Sequence, residues 1–217
     1  MSDNETSEDV NLKPLNVFVC GGGNVVNKFY YKEAYELGKG LAKIGTAYGQ
    51  GGLIDRHTIM GESYWGYKEN NGKETHFFIR EAFKDDLTPK KEKGESIEVV
   101  QDIAGLVREQ FIWADVIVVM PGGTGTIEEL FGHSELQLDY EKHPKIIIYN
   151  PQLLGKQTHF FDGTLSQIQT SIEQGFIGND SYIRNIIVKY SIQDILADIE
   201  KEKNGISECF DVTERKG

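Results

Sequence analysis

Val116-Ile117-Val118-Val119-Met120-Pro121-Gly122-Gly123-Thr124-Gly125-Thr126-Ile127-Glu128-Glu129-Leu130 is the stretch whose reading decides the fold. The unbroken β-branched run from Val116 to Val119 predicts a strand buried on both faces, as in a parallel sheet. Pro121 stops that strand. Gly122, Gly123 and Gly125 then let the backbone turn tightly and leave its N–H groups unobstructed. From Thr126 the pattern turns helical, with Thr126 and Glu129 spaced as a capping box ahead of Leu130 and Phe131. Strand, glycine turn and helix N-terminus in that order build an anion-binding nest, where free amides and the positive end of the helix dipole converge.

A glycine turn can also be a plain connector. Against that, the segment Gly122 to Thr126 holds only glycine and threonine, more than a connector needs. Glu128 and Glu129 add a second indication. One carboxylate in the first turn is explained by capping and the dipole. Its neighbour lies about 100° round the helix and must point elsewhere. A carboxylate beside a phosphate site needs a contact of its own, such as a sugar hydroxyl, a water or a developing cation. The stretch therefore predicts a nucleotide or sugar phosphate, not a bare phosphate.

Outward from this stretch the same grammar recurs. Val17 to Cys20 is a short apolar run that ends in Cys20-Gly21-Gly22-Gly23-Asn24, and Thr46 to Tyr48 leads into Gly49-Gln50-Gly51-Gly52. Glycine turns at the C-terminal ends of strands are where open α/β sheets receive ligands. His76–Ile79, Lys145–Tyr149 and Ile186–Tyr190 read as further strands. Helical stripes run over Tyr30–Ile44 (Tyr31, Ala34, Leu37, Leu41, Ile44) and Val99–Trp113 (Val100, Ile103, Ala104, Val107, Phe111). Phe160–Phe176 and Ser191–Lys203 complete the helices, the last with a cap at Ser191 and Asp194. Between Lys84 and Glu98 the composition becomes charged; this is either a mobile loop at the mouth of the site or, as favoured, a plain surface excursion. Strands alternating with helices predict an α/β fold, an open parallel sheet with helices on both faces. It forms a single domain over residues 14–204, between a disordered lead-in (1–13) and a polar tail (205–217).

The bulk numbers bound the partners. A chain of 217 residues with a formal net charge of −11 and no basic stripe argues against nucleic acid. Cys20 and Cys209 follow no metal-ligand spacing, so reduced thiols of a cytoplasmic protein are expected. There is no signal-peptide core, and no apolar run nears the roughly 20 residues that span a bilayer. His57 could meet a ligand, whereas His76, His133, His143 and His159 read as structural or surface residues. No metal site and no cofactor is expected.

The segment Pro121-Gly122-Gly123-Thr124-Gly125-Thr126-Ile127-Glu128-Glu129 resembles the Pro-Gly-Gly-x-Gly-Thr-x-x-Glu signature of the Lonely Guy (LOG) family. Those proteins are cytokinin riboside 5′-monophosphate phosphoribohydrolases, long labelled as possible lysine decarboxylases. The similarity runs from about Asn16 to Gly178, with supporting matches at Val17-Phe18-Val19-Cys20-Gly21, Ala114-Asp115, His143-Pro144-Lys145 and Glu173 to Ile177. The resemblance implies a Rossmann-like fold, a homodimer, and hydrolysis of a nucleoside 5′-monophosphate to free base and ribose 5-phosphate. It implies that Gly122, Gly123, Thr124, Gly125 and Thr126 hold the phosphate, Glu128 the ribose, and that Glu129 is the catalytic carboxylate. Ser134, Cys20, Gly21 and Gly22 fall beside the ligand on the same pattern. Hydrolysis suits these residues, because a carboxylate stabilises the oxocarbenium-like cation and orients water.

Three departures stand beside the match. The family's Arg-Lys pair, with its catalytic arginine, aligns with Leu106 and Val107; Arg108 is either a relocated partner or an ordinary exposed residue. The loop after Tyr48 carries an insertion with Arg56 and His57 before Met60-Gly61. The family's mid-chain glutamate has no counterpart between Lys84 and Gly94. The sequence thus supports a hydrolase with Glu129 and Arg108 as catalytic residues, with a non-catalytic carrier of a nucleotide or phosphorylated cofactor as the alternative. A deoxyribosyl transferase ranks below both, since it needs no 5′-phosphate cradle. A pyridoxal-dependent decarboxylase would need a Schiff-base lysine in a recognisable cofactor site, and none is visible.

Overall fold

The β-branched run forms β5 (Val116–Val119), every residue of which is buried in the computed structural model. The structure describes residues 14–23, 27–87, 92–176 and 185–205. β5 pairs in parallel with β1 (Asn16–Cys20) on one side and β6 (Lys145–Tyr149) on the other. With β2 (Ala47–Gln50), β3 (Thr75–Arg80), β4 (Glu95–Val100) and β7 (Ile186–Lys189) they make one sheet in the order β4-β3-β2-β1-β5-β6-β7. Every neighbouring pair is parallel. From β1 the chain steps outward to β4, then returns to lay β5 on the free side of β1. That reversal opens a crevice at the C-terminal ends of β1 and β5, where a doubly wound sheet binds its ligand. The fold is the expected α/β, Rossmann-like single domain.

Because successive strand residues face opposite ways, the sheet has two apolar faces and needs cover on both. On one face Val17, Val19, Tyr48, Phe77, Val118 and Ile147 pack with Leu37 and Ile195. The helices there are α1 (Lys28–Ile44), α2 (Ile59–Glu69) and α7 (Ile192–Lys203). On the other face Phe18, Cys20, Phe78, Ile117 and Val119 meet Leu106, Phe111 and Leu130. Here the cover is α4 (Ile103–Trp113), α5 (Thr124–Leu136) and α6 (Asp162–Glu173). Burying each such aliphatic or aromatic side chain stabilises the fold by about 1.5–3 kcal/mol before the loss of chain entropy is counted. α1 and α2 cross so closely that a Cβ at Gly38 would overlap the Ser63 carbonyl, and one at Gly66 the Tyr35 carbonyl.

Three departures from the sequence reading have physical causes. Val99 and Val100 belong to β4, not to the following helix, which starts at Ile103 with the Asp102 carboxylate accepting from the Gly105 amide at 2.8 Å. β4 is an edge strand that begins inside the segment read as a charged excursion; its buried Glu95 accepts from Lys68 at 2.8 Å and from the Tyr64 hydroxyl at 2.9 Å. A 3₁₀ turn (Glu81–Phe83) precedes that segment, and α3 (Lys84–Leu87) opens it. α2 was not foreseen: Thr58 caps it, its hydroxyl accepting from the Gly61 amide at 2.9 Å. In α1 the buried aromatic is Tyr30, with Tyr31 only partly covered. The predicted lead-in (1–13) and almost all of the predicted tail (206–217) lie outside the described residues.

Candidate functional site

Beyond their paired strands, β1 and β5 stay joined. The Met120 amide donates to the Cys20 carbonyl at 2.9 Å, and the Gly22 amide to the Pro121 carbonyl at 3.0 Å. The Ile59 amide in turn donates to the Gly22 carbonyl at 3.0 Å, tying the start of α2 to the same turn. The two glycine turns are thus one backbone unit at the topological switch point.

α5 begins at Thr124, two residues earlier than the sequence suggested, and its N-cap is Gly123 with no side-chain capping bond. The expected Thr126–Glu129 capping box does not form. Thr126 lies buried within the first turn, and the Glu129 carboxylate is bonded from another helix. The Ile127 amide donates to the Gly123 carbonyl at 3.1 Å. The amides of Thr124, Gly125 and Thr126, ahead of it, have no carbonyl one turn back to accept them. Gly123, Thr124 and Gly125 are exposed. None of the turn's glycines has a positive φ, so their value is space rather than backbone freedom. A Cβ on Gly122 would overlap Thr126 Oγ1, whereas at Gly123 and Gly125 it would meet no atom within 4 Å. A bare, uncapped, open helix N-terminus of this kind suits an anion.

One turn along stand the two carboxylates. Glu128 is exposed and Glu129 is partly buried. Gln110, on α4, donates from Nε2 to Glu129 Oε1 at 3.2 Å. Burial pushes the Glu129 carboxyl up to about 7; Gln110 opposes that rise, Glu128 adds to it, and Arg80 opposes it. Burial, with the nearby Glu129 charge second, also holds the Cys20 thiol in its protonated form, donating to the Val118 carbonyl at 3.7 Å. The site therefore offers a carboxyl group that exchanges its proton near neutral pH, beside a nest for an anion. That pairing suits general acid–base chemistry on a phosphorylated substrate.

The other residues singled out from sequence fall into distinct places. Cys20 and Gly21 form a packed floor, where a Cβ on Gly21 would press on Ile59 and Met120. The Gly22 amide is engaged within the backbone unit. Ser134 is buried, its hydroxyl donating to the Leu130 carbonyl at 2.7 Å. Arg108 is exposed over 53 % of its side chain and pairs through Nε with Glu109 at 3.2 Å. Leu106 and Val107 are core residues. The α4 group that reaches Glu129 is Gln110, which sequence reasoning passed over. Its signal was there: it lies four residues after Leu106 and three after Val107, on the buried face, where a polar residue is informative.

The histidines are elsewhere. His57, at φ 68, is exposed, and its amide donates to Glu62 Oε1 at 3.0 Å. With the Arg56–Glu62 pair at 3.2 Å, that bond ties the insertion to α2. His76 contacts Ser96 at 2.6 Å and Glu98 at 3.2 Å, beside a concavity lined by Asn16, Ser96 and Trp113 at the opposite end of the sheet, where β1 to β4 begin. His133 is fully buried between Phe18 and Phe111, and neither ring nitrogen has a partner among the described residues. Among the described residues no cluster of three or more metal-binding side chains occurs, and no helix is long and apolar enough to cross a membrane.

A model of the family described as "possible lysine decarboxylase" matches residues 60–199, well over half the chain. The chain belongs to this family, the LOG family. It is 29 % identical over 175 residues to the rice (Oryza sativa subsp. japonica) cytokinin riboside 5′-monophosphate phosphoribohydrolase LOG, a match that covers 78 % of this chain. That match spans 65 % of the rice protein's length, just under two thirds. Solved structures carry the same fold. The molybdenum cofactor binding protein of the phototrophic bacterium Rippkaea orientalis superposes with a TM-score of 0.57 at 19 % identity, covering 90 % of this chain and 98 % of that one. The Moco carrier protein of Chlamydomonas reinhardtii superposes with a TM-score of 0.56 at 20 % identity, covering 90 % and 100 %. These likenesses show the same fold.

Proposed function

We propose that this LOG-family member hydrolyses the N-glycosidic bond of a nucleoside 5′-monophosphate. The observation that carries the proposal is the pairing of an uncapped α5 N-terminus with Glu129, a carboxyl one turn away that Gln110 holds at 3.2 Å and that burial pushes up to about 7. In this reading the amides of Gly123 to Thr126 receive the 5′-phosphate and the exposed Glu128 takes ribose hydroxyls. Glu129 then faces the anomeric carbon. The bond from that carbon to the base nitrogen breaks, its electron pair leaving with the base, which takes up a proton from solvent. Water adds to the oxocarbenium-like carbon and gives a proton to Glu129, yielding ribose 5-phosphate. Gln110 keeps the carboxylate aimed. AMP and isopentenyl-AMP are the first substrates to try, because the rice relative's name places its activity on a cytokinin riboside 5′-monophosphate.

The second reading is a carrier that holds a nucleotide or phosphorylated cofactor without turnover. It is favoured by one observation: the helix positions of the family's Arg-Lys pair are buried Leu106 and Val107 here. Base release from AMP, other nucleoside monophosphates and isopentenyl-AMP separates the two. Release well above a Glu129→Gln control is the expected result; tight binding with no release above that control overturns the hydrolase and favours the carrier. Homodimerisation and a cytoplasmic location, both expected from sequence and resemblance, belong to the same proposal; sedimentation checks the first.

A further inference from the structure

Ser96 on β4 lies directly opposite His76 on β3, and Glu98 opposite Phe78. Side chains alternate along a strand, so His76, Ser96 and Glu98 leave the same face of the sheet, the one on which α4 sets Trp113. Two contacts link them. Ser96 Oγ is 2.6 Å from His76 Nδ1, and His76 Nε2 is 3.2 Å from Glu98 Oε2. A carboxylate only accepts hydrogen bonds, so Nε2 carries the ring proton. The neutral ring then accepts at Nδ1, and the Ser96 hydroxyl is its donor. That hydroxyl also has the Thr75 carbonyl within reach at 3.4 Å, a contact too long to compete with one of 2.6 Å.

The imidazole is fixed in direction as well as in protonation. Its ring lies 4.4 Å from the Phe78 ring and 5.5 Å from the Trp113 ring, tilted by 32° and 38°. Burial pushes it below the ordinary histidine value, with Glu98 opposing, which keeps the ring a neutral base at neutral pH. The cluster is still reachable from solvent: the His76 side chain is 21 % exposed and that of Glu98 40 %. Ser96 and His76 both line the concavity where β1 to β4 begin. That concavity holds about 190 Å³, less than a drug-sized ligand needs. Trp113 gives it an apolar wall and the exposed Glu74 lies on its rim, so a small acyl group without negative charge suits it. It stands at the opposite end of the strands from the glycine turns, and its chemistry is independent of the nucleotide reading.

We propose that Ser96, His76 and Glu98 form a second site, one for acyl transfer from small uncharged esters, with Ser96 as nucleophile, His76 as its general base and Glu98 as the residue that positions the imidazole. A hydroxyl bonded to a base that a third group orients is the arrangement that activates a serine. The ring nitrogens are exchanged relative to the common serine triad, but the three roles are the same. Ser96 Oγ attacks the ester carbonyl carbon while its proton passes to His76 Nδ1. The bond from that carbon to the alcohol oxygen then breaks, its electron pair leaving with the oxygen, which takes the proton back from Nδ1. Water adds to the acyl group on Ser96 with His76 again as base, releasing the carboxylic acid and restoring the serine.

The test is to treat the full chain with methanesulfonyl fluoride, a probe of acetyl size whose fluoride leaves as the serine is sulfonylated, and to map the adduct by peptide mass spectrometry. The expected result is modification of Ser96 ahead of every other hydroxyl, with p-nitrophenyl acetate hydrolysis lost in step. His76→Gln should slow the modification by about 100-fold or more, the contribution of a positioned general base. Glu98→Gln should slow it by about tenfold, since a half-exposed carboxylate orients the ring less firmly than a buried one. In both variants the final extent should still reach one group per chain, which separates a slower serine from a damaged fold. An unmodified Ser96 in the folded wild type overturns the proposal, and that result needs no variant. A Ser96 rate that His76→Gln leaves unchanged also overturns it, because the hydroxyl is then merely exposed. Should His76→Gln fail to fold, Glu98→Gln decides: a slowed rate supports the proposal and an unchanged one overturns it.

Discussion

The side-chain amide of Gln110, on α4, donates to the carboxylate of Glu129, on α5, at 3.2 Å, joining two helices that lie side by side on one face of the sheet. Gln110 is fully buried and its own Oε1 has no partner among the described residues. A buried amide with an orphan oxygen is a poor choice for stability alone, because an unsatisfied polar atom costs about 1–3 kcal/mol. Its value lies in what it aims.

Gln110→Leu should therefore fold as well as the wild type or better. The donor to Glu129 is lost, so the acidic limb of the pH–rate profile should move upward. Base release at pH 6.5 should fall about tenfold or more, as expected for a hydrogen bond to a charged group, with partial recovery at pH 8.5. A profile that superposes on the wild type would remove Gln110 from the mechanism.

Glu129 itself should be a stability defect at high pH. Its folded carboxyl titrates at about 7, above the ordinary carboxylate range. Between that range and about 7 the folded protein holds a proton that the unfolded chain has released, so stability declines as pH rises through this window. Glu129→Gln removes the decline. Urea unfolding at pH 5 and pH 8 should show the variant gaining on the wild type by about 1–3 kcal/mol at the higher pH. Equal gaps at the two pH values would mean that Glu129 is not desolvated in solution.

His133 makes the opposite prediction. Burial among Phe18 and Phe111 pushes its imidazole down to about 3. The unfolded chain binds a proton near the ordinary histidine value and the folded chain does not, so stability is lost as pH falls below about 6.5. His133→Leu, close in volume, should remove about 2 kcal/mol of that acid sensitivity between pH 8 and pH 5. Thermal midpoints across that range check it; identical slopes for both proteins would mean that the His133 imidazole is not desolvated in the folded protein.

How far the sequence could be read follows from where residues do more than one task. β1, β5 and β6 are buried on both faces, so their apolar runs announce themselves and fix an α/β sheet. β4 hides because it is an edge strand carrying Glu95, Ser96 and Glu98, and α2 because glycines and aromatics at its crossing with α1 break a simple stripe. At the site, the turn that leads into α5 was legible as a run of glycine and threonine. The Thr126–Glu129 spacing misled, since a capping box and a carboxylate bonded from a neighbouring helix share one local pattern and only α4's position tells them apart. Gln110 comes from another element, and the topology that brings it to Glu129 is set by the strand order, which sequence spacing did not reveal.

The central claim is that the amides from Gly123 to Thr126 grip a phosphoryl group, and calorimetry of AMP against adenosine tests it most directly. A Cβ at Gly123 or Gly125 projects into open space and touches no protein atom, so Gly123→Ala and Gly125→Ala should fold normally. Gly122→Ala, which would overlap Thr126, serves as the structurally damaging contrast. The account predicts that the wild type binds AMP at least tenfold more tightly than adenosine, and that Gly123→Ala or Gly125→Ala abolishes most of this preference at unchanged stability. Equal affinity for AMP and adenosine, or an undiminished preference in both folded alanine variants, would contradict it.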